Sequence, residues 1–246
     1  MPVRALVVFL ACLTASCGGL SLPQYEYEED LYLRLDGSAT LYVNSSIAGL
    51  NALRGASFDL APTARVDRDS VRTYFDTPVT RVRRINLSRR ENRRFVHLRI
   101  EVDDVTRLTD AVPFAWSSYR FSKAGETLEY RQLVGASVGA HVGEVGWTGR
   151  ELVAFRVHVP SRVVDHNAGA GNLKRGNILV WEQPLTERLR GEPLALHARL
   201  ETRSILSRTL VLFATTLGAV GAVFGLIIWL MLRRSQSSRD PIRQGA

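Results

Sequence analysis

Seven arginines, Arg81, Arg83, Arg84, Arg89, Arg90, Arg93 and Arg94, crowd one short segment, with Glu91 the sole acid among them. A guanidinium offers phosphate a planar fork of donors and keeps its charge in a partly desolvated interface. The segment is therefore a candidate for binding anionic headgroups, at about 1 kcal/mol for each arginine held near a membrane. The same pattern also suits a solvated strand edge, which charge protects from pairing with another chain.

Catalytic spacings are scarce. The histidines, His97, His141, His158, His166 and His197, form no His-x-His or His-x-x-x-His pair. Asp165-His166 is the nearest approach to an acid-oriented imidazole, and it needs a nucleophile within hydrogen-bond reach. Ser137, between Gly135 and Gly139, imitates a nucleophile elbow without the strand-to-helix context that motif requires. Gly169, Gly171 and Gly176 beside Lys174-Arg175 lack the Walker spacing and read as a flexible turn. Glu26, Glu28, Glu29 and Asp30 have calcium-ligand chemistry, yet they read first as a solvated acidic approach to the first strand. No catalytic, metal or cofactor site is expected, and a hydrolase is the most remote reading.

The elements that must position these residues alternate in hydropathy. Leu31, Leu33 and Leu35, an Asp36-Gly37 turn, then Ala39, Leu41 and Val43 make a hairpin signature. Ile47, Leu50 and Leu53 predict a short helix stopped by Gly55, and Asp69–Phe75 predicts another behind an Asp cap. Val82–Leu87 and Phe95–Val102 predict a second hairpin, followed by a capped helical turn at Asp103-Asp104. Phe114–Phe121 and Glu126–Val134 predict a third pair. Five glycines between Gly135 and Gly149 mark a loop or an internal boundary. Leu152–Val159, Ile178–Glu182 and Leu194–Glu201 are strand-like. The fold class is α+β, a mainly antiparallel sheet with short helices, over residues 31–201, with 17–30 as a linker.

Both ends carry membrane signals. Thr209–Leu232 holds no charge and is bracketed by Arg208 and Arg233-Arg234. As a helix it is about 36 Å long, against a hydrocarbon core of about 30 Å. Arg4 precedes an apolar run from Ala5 to Leu13, so residues 1–16 read as a cleaved signal peptide. Thr14-Ala15-Ser16-Cys17 resembles the bacterial lipobox, although Leu13 lies four residues before the cysteine where three is usual. Lipidation of Cys17 is expected; ordinary cleavage near Ser16 is the alternative. Arg233, Arg234, Arg239 and Arg243, against Asp240, assign residues 233–246 to the cytoplasm, which leaves the preceding domain outside. Gly221-x-x-x-Gly225 offers a close-packing face within the span.

The net charge of +8 comes from 32 basic and 24 acidic residues. Without Arg4, the four tail arginines and Asp240 the counts are 27 and 23. That balance gives no ground for a nucleic-acid partner. After signal removal at most Cys17 remains, so no disulfide forms within the mature chain.

The last strands run from Val153 to Pro160, through Val163-Val164-Asp165-His166-Asn167 to Gly176-Asn177 and Trp181, then Pro184 and Leu194–Glu201. With the Asp36-Gly37-Ser38 turn, this resembles the exported domain of LppM-type bacterial lipoproteins, in which an Asn, a Gly-Asn and a strand Trp precede a C-terminal span. The resemblance implies a cell-envelope lipoprotein with an α+β domain, and it brings no catalytic residues. Read from the residues alone, Trp181 is a core side chain and Asn167 closes a turn.

The expectation is a non-enzymatic, doubly anchored envelope protein whose exported domain binds a lipid or glycolipid near the membrane. The alternative is a protein–protein interaction module of an envelope complex. Tyr42, Phe58, Tyr74, Phe75, Phe114, Trp116 and Tyr119 suffice either to line a cavity or to fill a core. A closed apolar pocket would mark the first, and a full core with an exposed apolar patch the second.

Overall fold

The computed structural model describes residues 23–61 and 63–237. The expected signal peptide, the lipidation of Cys17 and residues 238–246 of the tail lie outside the described residues.

Strands β1 (Tyr25–Leu33) and β2 (Ala39–Ser46) form the expected hairpin, with Leu31 paired to Leu41. Gly37 turns the chain at φ 84°, a conformation glycine adopts without steric cost. Helix α1 (Ile47–Arg54) follows directly. The Ser46 hydroxyl caps it by accepting from the Gly49 amide, and Gly55 at φ 70° ends it. Every residue of α1 is buried. Helix α2 (Arg68–Phe75) is capped by Asp67 and buries Val71 and Phe75.

Strands β3 (Thr80–Arg90) and β4 (Arg93–Val102) pair across a two-residue turn. Glu91 (φ 49°) and Asn92 (φ 60°) both take positive φ there, as a type I′ hairpin requires. The predicted turn after Asp104 is a 3₁₀ segment, Val105–Asp110. Then come β5 (Ser117–Ala124), β6 (Thr127–Val134), β7 (Leu152–His158), β8 (Ser161–His166), β9 (Leu173–Lys174) and β10 (Ile178–Pro184). A short α3 (Leu185–Leu189), β11 (Leu194–Ser204) and a long α4 (Ile205–Ser237) complete the described chain.

The strands make two sheets, of order β3-β4-β2-β1-β7-β10-β9 and β5-β6-β11-β8. All pairings are antiparallel except β1 with β7. Two expectations are corrected here. Residues from Tyr25 to Asp30 belong to β1 at the centre of the larger sheet, not to a linker. The glycine-rich segment is no boundary, because each sheet takes strands from both sides of it. That segment packs on α1: the Val138 amide donates to the Leu53 carbonyl, and a Cβ on Gly139 would fall 1.8 Å from the Asn51 carbonyl oxygen.

One apolar core joins the layers. Tyr27, Trp116 and Phe155 meet at ring-centroid distances of 5.8 to 6.1 Å, and Phe75 packs on Phe114 at 6.0 Å. Three arginines are buried beside it: Arg188, which lies over Trp116 at 5.2 Å and donates to the carbonyls of Gly135 and Glu192, and two that meet carboxylates. Arg54 pairs with Glu29 at 2.6 Å and lies over the rings of Trp116 (4.1 Å) and Tyr27 (4.4 Å). Glu29 also accepts from the hydroxyls of Tyr27 and Tyr119 and from the Gln132 amide. Arg93 lies among Glu26 (3.0 Å), Glu91 (2.7 Å) and Glu151 (3.6 Å). The Trp147 indole donates to Glu26, and the amides of Thr148 and Gly149 donate to Glu151.

Strand register gives the domain two poles. Leu33 pairs with Ala39, Ala39 with Val102 and Val102 with Thr80, so these residues share one pole. Tyr32 at that pole pairs with His158, and nearby Ser161 pairs with Ser204 at the end of β11. Tyr25 and the Glu91-Asn92 turn lie at the other pole. No residue separates β11 from α4. Within α4, Thr209–Arg233 has mean hydropathy 2.3 and is long and apolar enough to cross a membrane.

Candidate binding groove

The arginine-rich hairpin forms as expected, but its side chains scatter. Arg81 and Arg83 pair with Glu101 at 3.7 and 2.5 Å. Arg84 reaches Asn86 at 3.4 Å, and Arg89 reaches Asn92 at 3.4 Å. Arg90 donates to the Tyr25 carbonyl and covers the Phe95 ring at 4.6 Å. Arg93 is buried among carboxylates and presents no charge outward. Arg94 ties down the next loop, donating to the carbonyls of Ala64 (2.9 Å) and Asp59. The hairpin tip also stands at the pole opposite the one from which α4 leaves. The seven arginines thus do not share one surface: they divide among carboxylates, carbonyls and a ring. Because β3 is an edge strand, its exposed arginines shield that edge from pairing.

Arg94 is shared by two adjoining grooves. The first, of about 860 Å³, runs beside α2 from Ile47 to Thr77. Its apolar wall is Ile47, Phe58, Val66, Tyr74 and Val112, with Phe58 and Tyr74 meeting edge to face at 5.7 Å. Arg65 and Arg94 supply positive charge to its lining, and Asp59, Asp67 and Asp69 supply negative charge. Asp59 is engaged by the Ala61 amide, and Asp67 caps α2. Hydrogen bonds from the hydroxyl and amide of Ser70 hold the Asp67 carboxyl below the usual carboxylate range. The second groove, of about 900 Å³, shares Arg65 and Arg94 and adds Arg68 and Arg89.

Both grooves are open, so neither is the closed apolar pocket expected of a lipid-binding domain, and most of the aromatics fill the core instead. The aromatics divide accordingly: Phe75, Phe114, Trp116 and Tyr119 are buried in the core, while Phe58 and Tyr74 wall the groove. Tyr42 lies on the outer face of the larger sheet against Tyr32, which stacks on His158 at 3.8 Å. Sequence reasoning named Phe58 and Tyr74 but missed Arg65. The one available signal was a basic residue beside apolar Val66, just ahead of the helix cap.

The remaining candidates are structural. Trp181 donates to the Asn167 side-chain carbonyl (3.0 Å), which also accepts from the His197 amide (2.8 Å). Asn167 thereby ties β10 in one sheet to β11 in the other. Gly176, at φ 74°, and Asn177 form the turn into β10, where Asn177 accepts from the Val159 amide. Gly169 and Gly171 lie in the approach to β9, where the Asn172 amide closes a turn onto Gly169. Asp165 pairs with Arg199 at 3.3 Å, and His166 has a buried Nδ1 without a hydrogen bond. Ser137 lies in the loop that packs on α1.

The acidic run is corrected: Glu26 and Glu29 are buried in the two arginine clusters, while Glu28 and Asp30 hold Arg156 at 2.6 and 3.3 Å. Among the described residues no His/Cys/Asp/Glu group is placed to hold a metal ion. One hydroxyl–imidazole row went unforeseen. Ser88 Oγ lies 2.7 Å from His97 Nε2, and His97 Nδ1 lies 3.0 Å from Asn44 Oδ1. It crosses β3, β4 and β2 on an open sheet face.

No family model matches the chain, and no curated protein matches it. Among solved structures, the NMR structure of the folded domain of LppM from Mycobacterium tuberculosis is similar. The TM-score is 0.41 and the identity 13%, covering 76% of this chain and 98% of that one. At that level the likeness is a distant one of overall fold, without bearing on ligand or activity.

Proposed function

We propose that the chain is a membrane-anchored envelope lipoprotein whose exported domain binds a lipid or glycolipid by an anionic head in the groove beside α2. The carrying observation is an apolar wall, Ile47, Phe58, Val66 and Tyr74, lining the same groove as Arg65 and Arg94. An amphiphile needs both, since the wall shields acyl carbons from water and the forked guanidinium fits a phosphate or carboxylate. The carboxylates of Asp59 and Asp67 are occupied by backbone amides and Arg94 is held by the carbonyls of Ala64 and Asp59, so Arg65 is the cation that meets the ligand, with Asp69 also in the lining. Anchoring rests on α4, with the arginine-rich tail cytoplasmic and the domain outside, and on a lipid at Cys17. The domain binds its ligand without transforming it.

Native mass spectrometry of the full-length chain, extracted from host membranes in polymer nanodiscs, tests this. A discrete lipid adduct should accompany the protein and fall several-fold in Arg65→Glu and Phe58→Asp. A wild-type chain free of adducts would sink the reading.

A second reading, a docking module for another envelope protein, draws on the outer face of the smaller sheet. There Leu133 is 50% exposed beside Arg120, Arg131 and His197, around a shallow depression of about 510 Å³.

A further inference from the structure

We infer that the pole from which α4 leaves rests on the anionic headgroup layer of the bilayer, through Lys123, Arg162, Lys174 and Arg175. The arginine-rich hairpin tip then stands at the far pole, out of reach of those headgroups. This rests on the reading of α4 as a membrane span.

The junction carries the first part. Strand β11 ends at Ser204 and α4 begins at Ile205, so only four residues precede Thr209, the start of the apolar stretch. Four residues of helix rise about 6 Å. A domain joined so closely cannot hold the end of β11 away from the interface. What lies around that end is therefore brought to the headgroups.

Register identifies it. Thr127 pairs with Glu201, which places the β5–β6 turn with Lys123 beside the end of β11. Ser161 pairs with Ser204, which brings Arg162 alongside. Lys174 pairs with Ile178, and Ile178 pairs with His158 at the same pole, so the Lys174-Arg175 turn is there too. All four cations are exposed, and Leu173 next to Lys174 is 37% exposed. Arg175 takes φ 52° in that turn.

The residue types point the same way. The chain contains two lysines, Lys123 and Lys174, among 32 basic residues, and both lie at this pole. A lysine stem lies along apolar surface while its ammonium stays with water and phosphate. The acids beside these four cations are Glu126 in the turn, Glu201 at 3.8 Å from Arg162, and Asp36, whose carboxylate accepts from the amide and hydroxyl of Ser38; Asp76, Asp103 and Asp104 lie at the same pole on the β3–β4 side, where Arg81 reaches Asp103 at 3.9 Å.

The hairpin tip fails on distance. It lies a strand's length away, roughly 30 Å along β1, several times the screening length of about 8 Å at physiological salt. The larger cluster of charge is thus remote from the helix, and the smaller one is adjacent to it.

The test uses the unaltered full-length chain in nanodiscs of phosphatidylglycerol and phosphatidylcholine. A trace phospholipid carries a diazirine in its headgroup, and adducts are mapped by peptide mass spectrometry. Adducts are expected on peptides around Lys123, Arg162 and Lys174, with none above background at 89–94. Labelling centred on 89–94, or spread evenly over both poles, overturns the inference. The triple variant Lys123→Glu, Lys174→Glu, Arg175→Glu should lose these adducts several-fold in anionic discs; unchanged labelling also overturns it. A parallel lipid with its diazirine in the acyl chain reports on α4 itself. Adducts on 209–232 without any at the helix pole would refute the inference while leaving the span intact. Absence of adducts on 209–232 would refute the span, and the inference with it.

Discussion

Arg54 and Arg93 are both buried and both answer a glutamate of β1, yet their surroundings differ. Arg54 is enclosed by rings, with Tyr27, Phe114 and Trp116 within 5.1 Å of its guanidinium carbon, and its ion pair with Glu29 is closed to water. Arg93 sits where three separate segments meet: the start of β1, the turn at Glu91, and the end of the glycine-rich segment at Glu151. The first cluster fixes how the two sheets pack. The second fastens surface segments to a core that would pack without it. Burial alone therefore says little about what a charge is for; the sequence separation of its partners says more.

The largest expected effect breaks the first cluster. Arg54→Ala strands a carboxylate among aromatic rings and should cost about 3–5 kcal/mol of unfolding free energy, read by urea denaturation. The double variant Arg54→Met, Glu29→Leu should recover most of that loss, because an apolar pair of similar volume needs no desolvated charge. A loss below about 1 kcal/mol for Arg54→Ala would place the pair among ordinary surface bridges.

Changes at the second cluster should be smaller and local. Arg93→Gln should cost about 1–3 kcal/mol and speed amide exchange at residues 147–151 while leaving α1 protected. Gly139→Ala, which drives a methyl onto the Asn51 carbonyl, should cost a similar amount and free the other end of the same segment. Equal loss of protection in α1 and in residues 147–151 would mean that the two clusters are one cooperative unit.

Acidity gives the smallest and sharpest contrast. Burial pushes Glu29 up to about 7 from 4.5, against the pull of hydrogen bonds from Gln132 and Tyr119 and of the Arg54 guanidinium at 2.6 Å. Unfolding then releases a proton between about pH 4.5 and 7, so stability falls as pH rises through that window. Glu151 runs the other way. Burial raises it, but hydrogen bonds from Thr148 and Gly149 prevail and hold it below 4.5. Its contribution is complete above about pH 4.5 and fades as pH falls through the lowered value. Glu29→Gln should flatten the Tm profile between about pH 4.5 and 7, and Glu151→Gln should flatten the acid limb. The same profile in both variants would erase the distinction.

Local rules were legible in the sequence. The hairpin at Gly37, the cap and stop of α1, the type of α2 and the apolar span of α4 all follow from spacing and end signals that neighbours in sequence supply. Contacts between distant residues were not. Glu26 and Glu29 looked solvated because their partners, Arg93, Trp147 and Arg54, come from other parts of the chain. Strand β8 was hidden by Arg162 and Asp165 and by a pairing with β11 that shifts register twice. The parallel pairing of β1 with β7 has no local mark at all. In the groove, Phe58 and Tyr74 were visible as aromatics, but Arg94 is aimed there only because the loop at Asp59 and Ala64 folds back onto β4. The arginine cluster was legible as a hairpin, but the partners of its side chains were not, since a strand sends alternate side chains to opposite faces.

The unbroken passage from β11 into α4 has a mechanical side. A flexible tether lets a domain swing and meet partners at any angle. Here the last strand of the smaller sheet runs straight into α4, so turning α4 about its axis turns the domain as a key turns with its bow. Any neighbour that packs against the helix and rotates it would swing the mouth of the groove to a new bearing around the helix axis.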